Sequence, residues 1–210
     1  MNKIICKGEL FFMKTYRVHL IRHGRESAEG VVRYIGQTDL PLTAKGRGEL
    51  VAMVEEEPFP TVDAVYTSPL RRCVQTAEIL YPEHTPIVEA GLTECNFGEF
   101  EDKTPDQLKS DPRYAAWLSG DTPPGGESGE RFFKRSVVAF AKVVEQAMKE
   151  GQTDIAIVCH GGSIMSILAQ CGIPERTPSD WICAPGHGYT MLITPGIWMR
   201  GYKAEVIAKF

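Results

Sequence analysis

Arginine and histidine stand together at Arg22-His23, a second arginine falls at Arg72, an acid at Glu94 and a second histidine at His160. Brought to one place, two guanidinium groups, two imidazoles and a carboxyl make a small site for a tetrahedral anion with an acid beside it. A guanidinium presents paired N–H donors to oxyanion oxygens and keeps its charge, so it suits both a bound anion and a more charge-dispersed transition state. Each residue alone is ordinary. A histidine after a strand more often packs than reacts, Arg72 reads as a solvated residue in a helix's first turn, and Glu94 as a loop carboxylate. Their meaning depends on the elements that position them.

Tyr16 to Ile21 is β-rich and alternates, then runs into Arg22-His23-Gly24, where the glycine breaks the strand. Val62 to Thr67 predicts a second strand, followed by Ser68 as N-cap and Pro69 as first residue of a helix reaching Leu80. Ile87 to Leu92 predicts a third strand, ending just before Glu94. The stretch from Cys95 to Ser128 is rich in Gly, Pro and polar residues and reads as a cap-like insertion (about 95–128), with one short helix from Pro105 to Trp117. Phe133, Val137, Phe140, Ala141, Val144 and Met148 recur at three- and four-residue steps, which predicts an amphipathic helix over Glu130 to Lys149, ended by Gly151. Asp154 to Cys159 is an apolar run suited to a central parallel strand, leading into His160-Gly161-Gly162 and a helix from Ser163 to Gln170. Tyr189 to Thr194 and Ala204 to Ala208 complete the strands. The alternation predicts one α/β domain over residues 1–210, a three-layer α/β/α sandwich with a mostly parallel central sheet. Ligands of such sheets bind outside the strands' carboxyl ends, and four predicted strand ends carry Arg22-His23, Arg72, Glu94 and His160.

Six ordered segments now resemble the histidine phosphatase superfamily, also called phosphoglycerate mutase-like. They are Leu20-Ile21-Arg22-His23-Gly24, Asp39 to Gly46, Thr67 to Ala77, Leu92 to Gly98, Gly125-Gly126-Glu127-Ser128 and Val158 to Gly162. Within that family the Gly-Gln-Thr-Asp-Leu-Pro-Leu-Thr and Pro-Gly-Gly-Glu-Ser runs are similar to α-ribazole phosphatase and broad-specificity members. The resemblance implies a phosphomonoesterase of small phosphorylated metabolites that needs no metal and no cofactor. It makes His23 the nucleophile that takes the phosphoryl group, with Nδ1–H held by a backbone acceptor, and Glu94 the general acid and base. Arg22, Arg72 and His160, the last as a donor, would surround the phosphoryl oxygens, and the family register selects Arg72 over Arg71. Neighbouring Arg22 and Arg72 would keep His23 unprotonated. A phosphoglycerate mutase and a catalytically inactive binding module are the rival readings.

Gly36, Gln37 and Thr38 are either an ordinary turn or a loop contacting the phosphate or leaving group. Gly161 and His187 join them as substrate-binding candidates, His187 because it stands where many relatives have an Asn-rich turn. An Asn that many members carry after Arg-His-Gly is missing from Arg25-Glu26-Ser27-Ala28-Glu29. Ser128 reads as the N-cap of the long helix, and Glu127 either begins that helix or faces the pocket. Phe97, Tyr114 and Trp117 either pack the cap or line a leaving-group pocket. The six cysteines are dispersed, without CxxC pairs, and read as reduced packing residues. A net charge of -4 offers no general attraction to nucleic acid or membrane, and no signal segment or spanning run is evident, so a cytoplasmic location is expected. Oligomeric state is open between monomer and homodimer. Residues 1–12 read as an extension or a misassigned start ahead of Met13.

Overall fold

The computed structural model describes residues 3–6, 9–12, 14–27, 30 and 32–210; Met13, Ala28 and Glu29 lie outside the described residues. At the N-terminus β1 (Lys3–Cys6) and β2 (Glu9–Phe12) pair antiparallel as a two-stranded sheet of their own. The main fold then runs β3 (Tyr16–Arg22), α1 (Ala44–Glu56), β4 (Ala64–Thr67), α2 (Arg71–Leu80) and β5 (Ile87–Val88). Two short helices follow, α3 (Pro105–Leu108) and α4 (Pro112–Leu118), then the long α5 (Gly129–Glu150), β6 (Asp154–Cys159), α6 (Gly161–Cys171) and β7 (Gly172–Ile173). The chain closes with β8 (Gly188–Ile193), α7 (Pro195–Gly201) and β9 (Ala204–Lys209).

Seven strands form one sheet in the order β5-β4-β6-β3-β8-β9-β7. Only β8 runs against the others, so the sheet is mixed but mostly parallel. Alternation along the strands divides the core. Val18, Leu20, Tyr66, Ile155, Ile157 and Cys159 face one side with residues of α5 and α6, while Ile21, Val65, Ala156 and Val158 face the other with residues of α1 and α2. Helices thus cover both faces, as the three-layer reading requires.

Several expected boundaries move. The helix after Ser68 begins at Arg71 with Leu70 as N-cap, and the Ser68 hydroxyl meets both the Leu70 N–H and His160. The strand expected over Ile87 to Leu92 is only two residues long. Beyond it Glu89 accepts the Gly91 N–H and caps a 3-10 turn, Ala90–Leu92, that buries Leu92. The single helix expected from Pro105 to Trp117 is two, since Pro112 has no N–H to continue the first and Asp111 caps the second. Helix α1 has no counterpart in the sequence reading. Thr43 caps it, accepting from Gly46 N, but only Gly46 and Leu50 along it are buried, too few to show a periodic apolar stripe.

The long helix forms where its pattern places it, but its buried stripe, Phe132, Ser136, Ala139, Phe140, Val143, Val144 and Ala147, is turned by about one residue from the expected one, so that Phe133, Val137, Ala141 and Met148 are only half-buried. Ser128 caps its first turn through Arg131 N, and Gly151 ends it in the left-handed region at φ 76. Register then sets the functional edge of the sheet: Arg22 pairs with Cys159, Thr67 with Val158, and β8 opens at Gly188 beside Ile21. Among the described residues no helix is long and apolar enough to cross a membrane. Phe140 and Val138 test the two faces of α5, being fully buried and 59% exposed. Phe140→Ala should cost about 3–5 kcal/mol of unfolding free energy in urea melts, and Val138→Ala less than about 0.5 kcal/mol.

Candidate active site

Three neighbouring parallel strands, β4, β6 and β3, stop at one level, and the residue that follows each turns into a common recess. His23 follows β3, with its N–H on the Cys159 carbonyl (3.0 Å), and Ser68 follows β4, with its N–H on Val158 (3.0 Å). His160 follows β6 as the N-cap of α6. His23 is 5% exposed, and Ser68, Arg72 and His160 are fully buried. The His23 and His160 rings meet edge to face, 5.1 Å between centroids.

The tautomer of each ring follows from its partners. His23 Nδ1 lies 2.7 Å from the Gly24 carbonyl, which can only accept, so Nδ1 carries the proton and Nε2 keeps its lone pair. That lone pair receives Arg72 Nε–H at 3.3 Å. His160 Nδ1 faces Arg72 Nη2 at 3.1 Å and must accept, which leaves Nε2–H to donate to the Ser68 hydroxyl at 2.8 Å. The expected donor role of His160 is therefore revised. Its proton is engaged by Ser68, and its free lone pair steadies Arg72.

Arg72 is fully buried and, among the described residues, has no carboxylate as a hydrogen-bond partner. Nη1 donates to Thr38 O (2.9 Å) and Nη2 to Gly36 O (2.6 Å), besides the two imidazoles. Gly36 and Thr38 thus meet the site through carbonyls that hold Arg72, and Gln37 through a side-chain amide on the Glu94 carbonyl at 3.2 Å. The loop is itself folded around Glu101. The N–H groups of Gly36 (3.1 Å), Gln37 (2.9 Å), Thr38 (3.2 Å) and Phe97 (3.0 Å), and the Thr38 hydroxyl (2.6 Å), all donate to that carboxylate. A Cβ at residue 36 would collide with the Cys95 carbonyl and the Glu101 carboxylate, which is why glycine stands there.

Arg22 anchors on the Cys183 carbonyl through Nη1 (2.8 Å), with its guanidinium against Gly161, and its buried Nε has no acceptor among the described residues. A tetrahedral oxyanion would supply one. Glu94 reaches the same recess from the turn after Leu92. Its carboxyl accepts from Cys95 N (2.9 Å) and from Gly162 N in the first turn of α6 (3.1 Å), an approach that a side chain at 162 would block. A further carboxyl, Glu26 Oε2, stands 3.5 Å from His23 Nδ1.

Burial governs the protonation states. It is the main cause holding His23 well below 6.5, with Arg72 next and Arg22 smaller, and the Gly24 bond acting in opposition. His160 is held low by burial, then by His23 and Arg72. Burial raises Glu94 above 4.5 despite its two N–H donors and the nearby arginines. The recess therefore joins neutral imidazoles and a carboxyl inclined to keep its proton to two permanent cations.

His187 goes elsewhere. Its backbone carbonyl accepts from Arg22 N (2.9 Å), but the residue lines a separate cavity of about 600 Å³ with Met53, Phe59, Thr190 and Phe210, which none of the other site candidates borders. Phe97 and Trp117 pack with Tyr34, Phe100 and Tyr114 in an aromatic cluster of the cap-like segment and the loop before it. Sequence reasoning passed over Ser68 as a bond partner of His160, and Glu101, which lies 63 to 65 residues from the loop it organises. Neither sits in a periodic pattern that would have marked it. Cys159 packs into the core on the α5 side of the sheet.

The model of the histidine phosphatase superfamily (branch 1) matches residues 18–198. The glucosyl-3-phosphoglycerate phosphatase of Mycobacterium tuberculosis strain H37Rv is 29% identical, over 93% of this chain and 92% of its own. A 2,3-bisphosphoglycerate-dependent phosphoglycerate mutase of Cytophaga hutchinsonii is 28% identical over 77% and 78%. The fold is similar to that of a putative alpha-ribazole-5'-P phosphatase from Escherichia coli K-12, with TM-score 0.77 and 24% identity, covering 92% of this chain and 95% of the other.

The grip of Glu101 on the 36–38 loop predicts the behaviour of the anion site. Glu101→Ala frees the carbonyls that hold Arg72, and the affinity for inorganic phosphate, measured by calorimetry, should fall about tenfold, the scale of one charge-assisted hydrogen bond.

Proposed function

This chain belongs to the histidine phosphatase superfamily, and on that footing we propose that it hydrolyses a small phosphomonoester through a phosphohistidine on His23. The observation that carries the reading is the buried, neutral His23, its Nδ1–H on a backbone carbonyl and its Nε2 lone pair turned toward Arg72. In the first step that lone pair forms the N–P bond while the ester P–O bond breaks. Glu94 gives its proton to the departing alkoxide. In the second, water forms the new O–P bond, its proton passes to the Glu94 carboxylate, and the N–P electron pair returns to Nε2. Nδ1–H stays on Gly24 O throughout. Arg22 and Arg72 meet the phosphoryl oxygens, with His160, Gly36 and Thr38 acting through Arg72. Fixed cations supply the charge compensation, so the reaction needs no metal.

The names of the phosphatase relatives favour a small phosphorylated metabolite as substrate. The mutase relative favours a second reading, in which phospho-His23 returns the phosphoryl group to another hydroxyl. The family resemblance implies a longer insertion in cofactor-dependent mutases than the 95–128 segment here, which speaks for water as acceptor. Three of its cations are Lys103, Lys109 and Arg113; Arg113 is engaged by Asp111 and Glu99 and Lys109 by Asp106. A rapid-quench experiment with a labelled phosphomonoester, in the presence of a chelator, separates these readings. It should trap an acid-labile, alkali-stable phosphoenzyme that decays to inorganic phosphate. A phosphoenzyme formed by His23→Ala would overturn the nucleophile, and transfer to an added hydroxyl in preference to water would establish the mutase.

The pH dependence has a definite sign. His23 must be neutral, and its pKa is lowered from 6.5, so kcat/KM rises as pH climbs through that lowered value. Glu94 must carry its proton, and its pKa is raised from 4.5, so kcat/KM falls as pH climbs through that raised value. The optimum should lie between the lowered value of His23 and the raised value of Glu94, and Glu94→Gln should flatten the alkaline limb. A rate that keeps rising into alkali would exclude this assignment.

A further inference from the structure

Glu94 sits on a segment that is neither helix nor strand, between the 3-10 turn ending at Leu92 and a second such turn beginning at Gly98. General acid catalysis needs its carboxyl held to a fraction of an ångström, and an irregular segment does not supply that by itself. The restraint comes from Arg135, in the second turn of α5. Its Nη1 donates to Gly91 O (2.9 Å), Thr93 O (2.8 Å) and Thr93 Oγ1 (3.0 Å), and its Nη2 to Glu94 O (3.2 Å). The same guanidinium pairs with Glu127, which is 8% exposed. Glu127 in turn accepts Asn96 N (3.0 Å) and donates its own N–H to Asn96 O (2.9 Å). The pair therefore grips the chain on both sides of Glu94, at residues 91, 93 and 94 and at residue 96.

We propose that Arg135, paired with Glu127, is the positioning residue of the general acid, a clamp that fixes the Glu94 segment against the long helix. It touches no reacting atom. The planar fork matters, because one ammonium cannot meet three carbonyls and a carboxylate at once. This role rests on the reading of Glu94 as the acid. It accounts for the Pro-Gly-Gly-Glu-Ser run as a device for presenting Glu127 at the start of the helix that carries Arg135.

A clamp acting through the acid has a signature that loss of packing lacks. The proton from Glu94 matters greatly for an alkyl leaving group and little for p-nitrophenolate, which departs unaided. The test compares kcat/KM for an alkyl phosphate and p-nitrophenyl phosphate in the full chain and in the variants Glu94→Gln, Arg135→Lys and Glu127→Gln. Glu94→Gln should lose about 100-fold on the alkyl ester and much less on the nitrophenyl ester. Arg135→Lys and Glu127→Gln should lose about tenfold more on the alkyl than on the nitrophenyl ester, a smaller copy of the same pattern. Equal losses on both esters in Glu94→Gln would overturn the reading of Glu94 and the clamp with it. A selective loss in Glu94→Gln with equal losses on both esters in the clamp variants, or failure of both clamp variants to fold, would overturn the clamp alone.

Discussion

A guanidinium with no exposed surface and, among the described residues, no carboxylate bonded to it is the fact around which this molecule is arranged. Taking a cation out of water costs several kcal/mol unless other groups make up for the lost hydration, and Arg72 recovers it only in part, from two carbonyls and two neutral imidazoles. Such a site is incomplete without an anion. The same cation acts on its neighbours: after burial it is among the forces keeping His23 and His160 unprotonated, and it works against the burial that raises Glu94. A protonated histidine would repel the Arg72 guanidinium and lose the lone pair that accepts from it. Kept neutral, the two imidazoles leave the positive potential to the two arginines.

Holding that cation requires structure far from it in sequence. The 36–38 loop offers Arg72 its carbonyls only because its N–H groups are gathered on Glu101, and Glu101 belongs to the segment that also carries Glu94. Glu94 is joined to α6 through Gly162 and to α5 through Arg135. Anion site and acid are therefore braced by one another: the loop that grips Arg72 also reaches the Glu94 carbonyl through Gln37.

Strand-borne parts of this site were legible in the residues. Arg22 ends one strand and His23 and His160 follow strands whose apolar character is strong, so their arrival at one edge could be argued from topology. Helix α5 was equally clear, down to Ser128 and Gly151, because twenty residues of periodic packing leave little ambiguity. What escaped is held by contacts that leave no local trace. Ser68 has the residue type and position of a helix cap, yet its hydroxyl also meets a histidine 92 residues away. Helix α1 buries too little to declare itself, and β5 shrinks because a glutamate caps a turn where a strand was expected. His187 illustrates the converse: its place in the chain is next to the site, but β8 carries it to the flank, toward a different cavity.

The sequence separations within the site bear on when it can exist. Arg72 meets a histidine 49 residues before it and another 88 residues after it, and a bond from Arg22 reaches residue 183. Contacts of this kind form only after the loops between them have closed, an entropic cost that places them late in folding. Arg22, His23, Gly36, Thr38 and Arg72 all fall within residues 22–72, but His160 and the Cys183 carbonyl, which hold the two arginines, lie far along the chain. Recovery of phosphate binding during refolding would thus report the arrival of the complete sheet, and a chain emerging from synthesis stays chemically silent until β6 has joined β3.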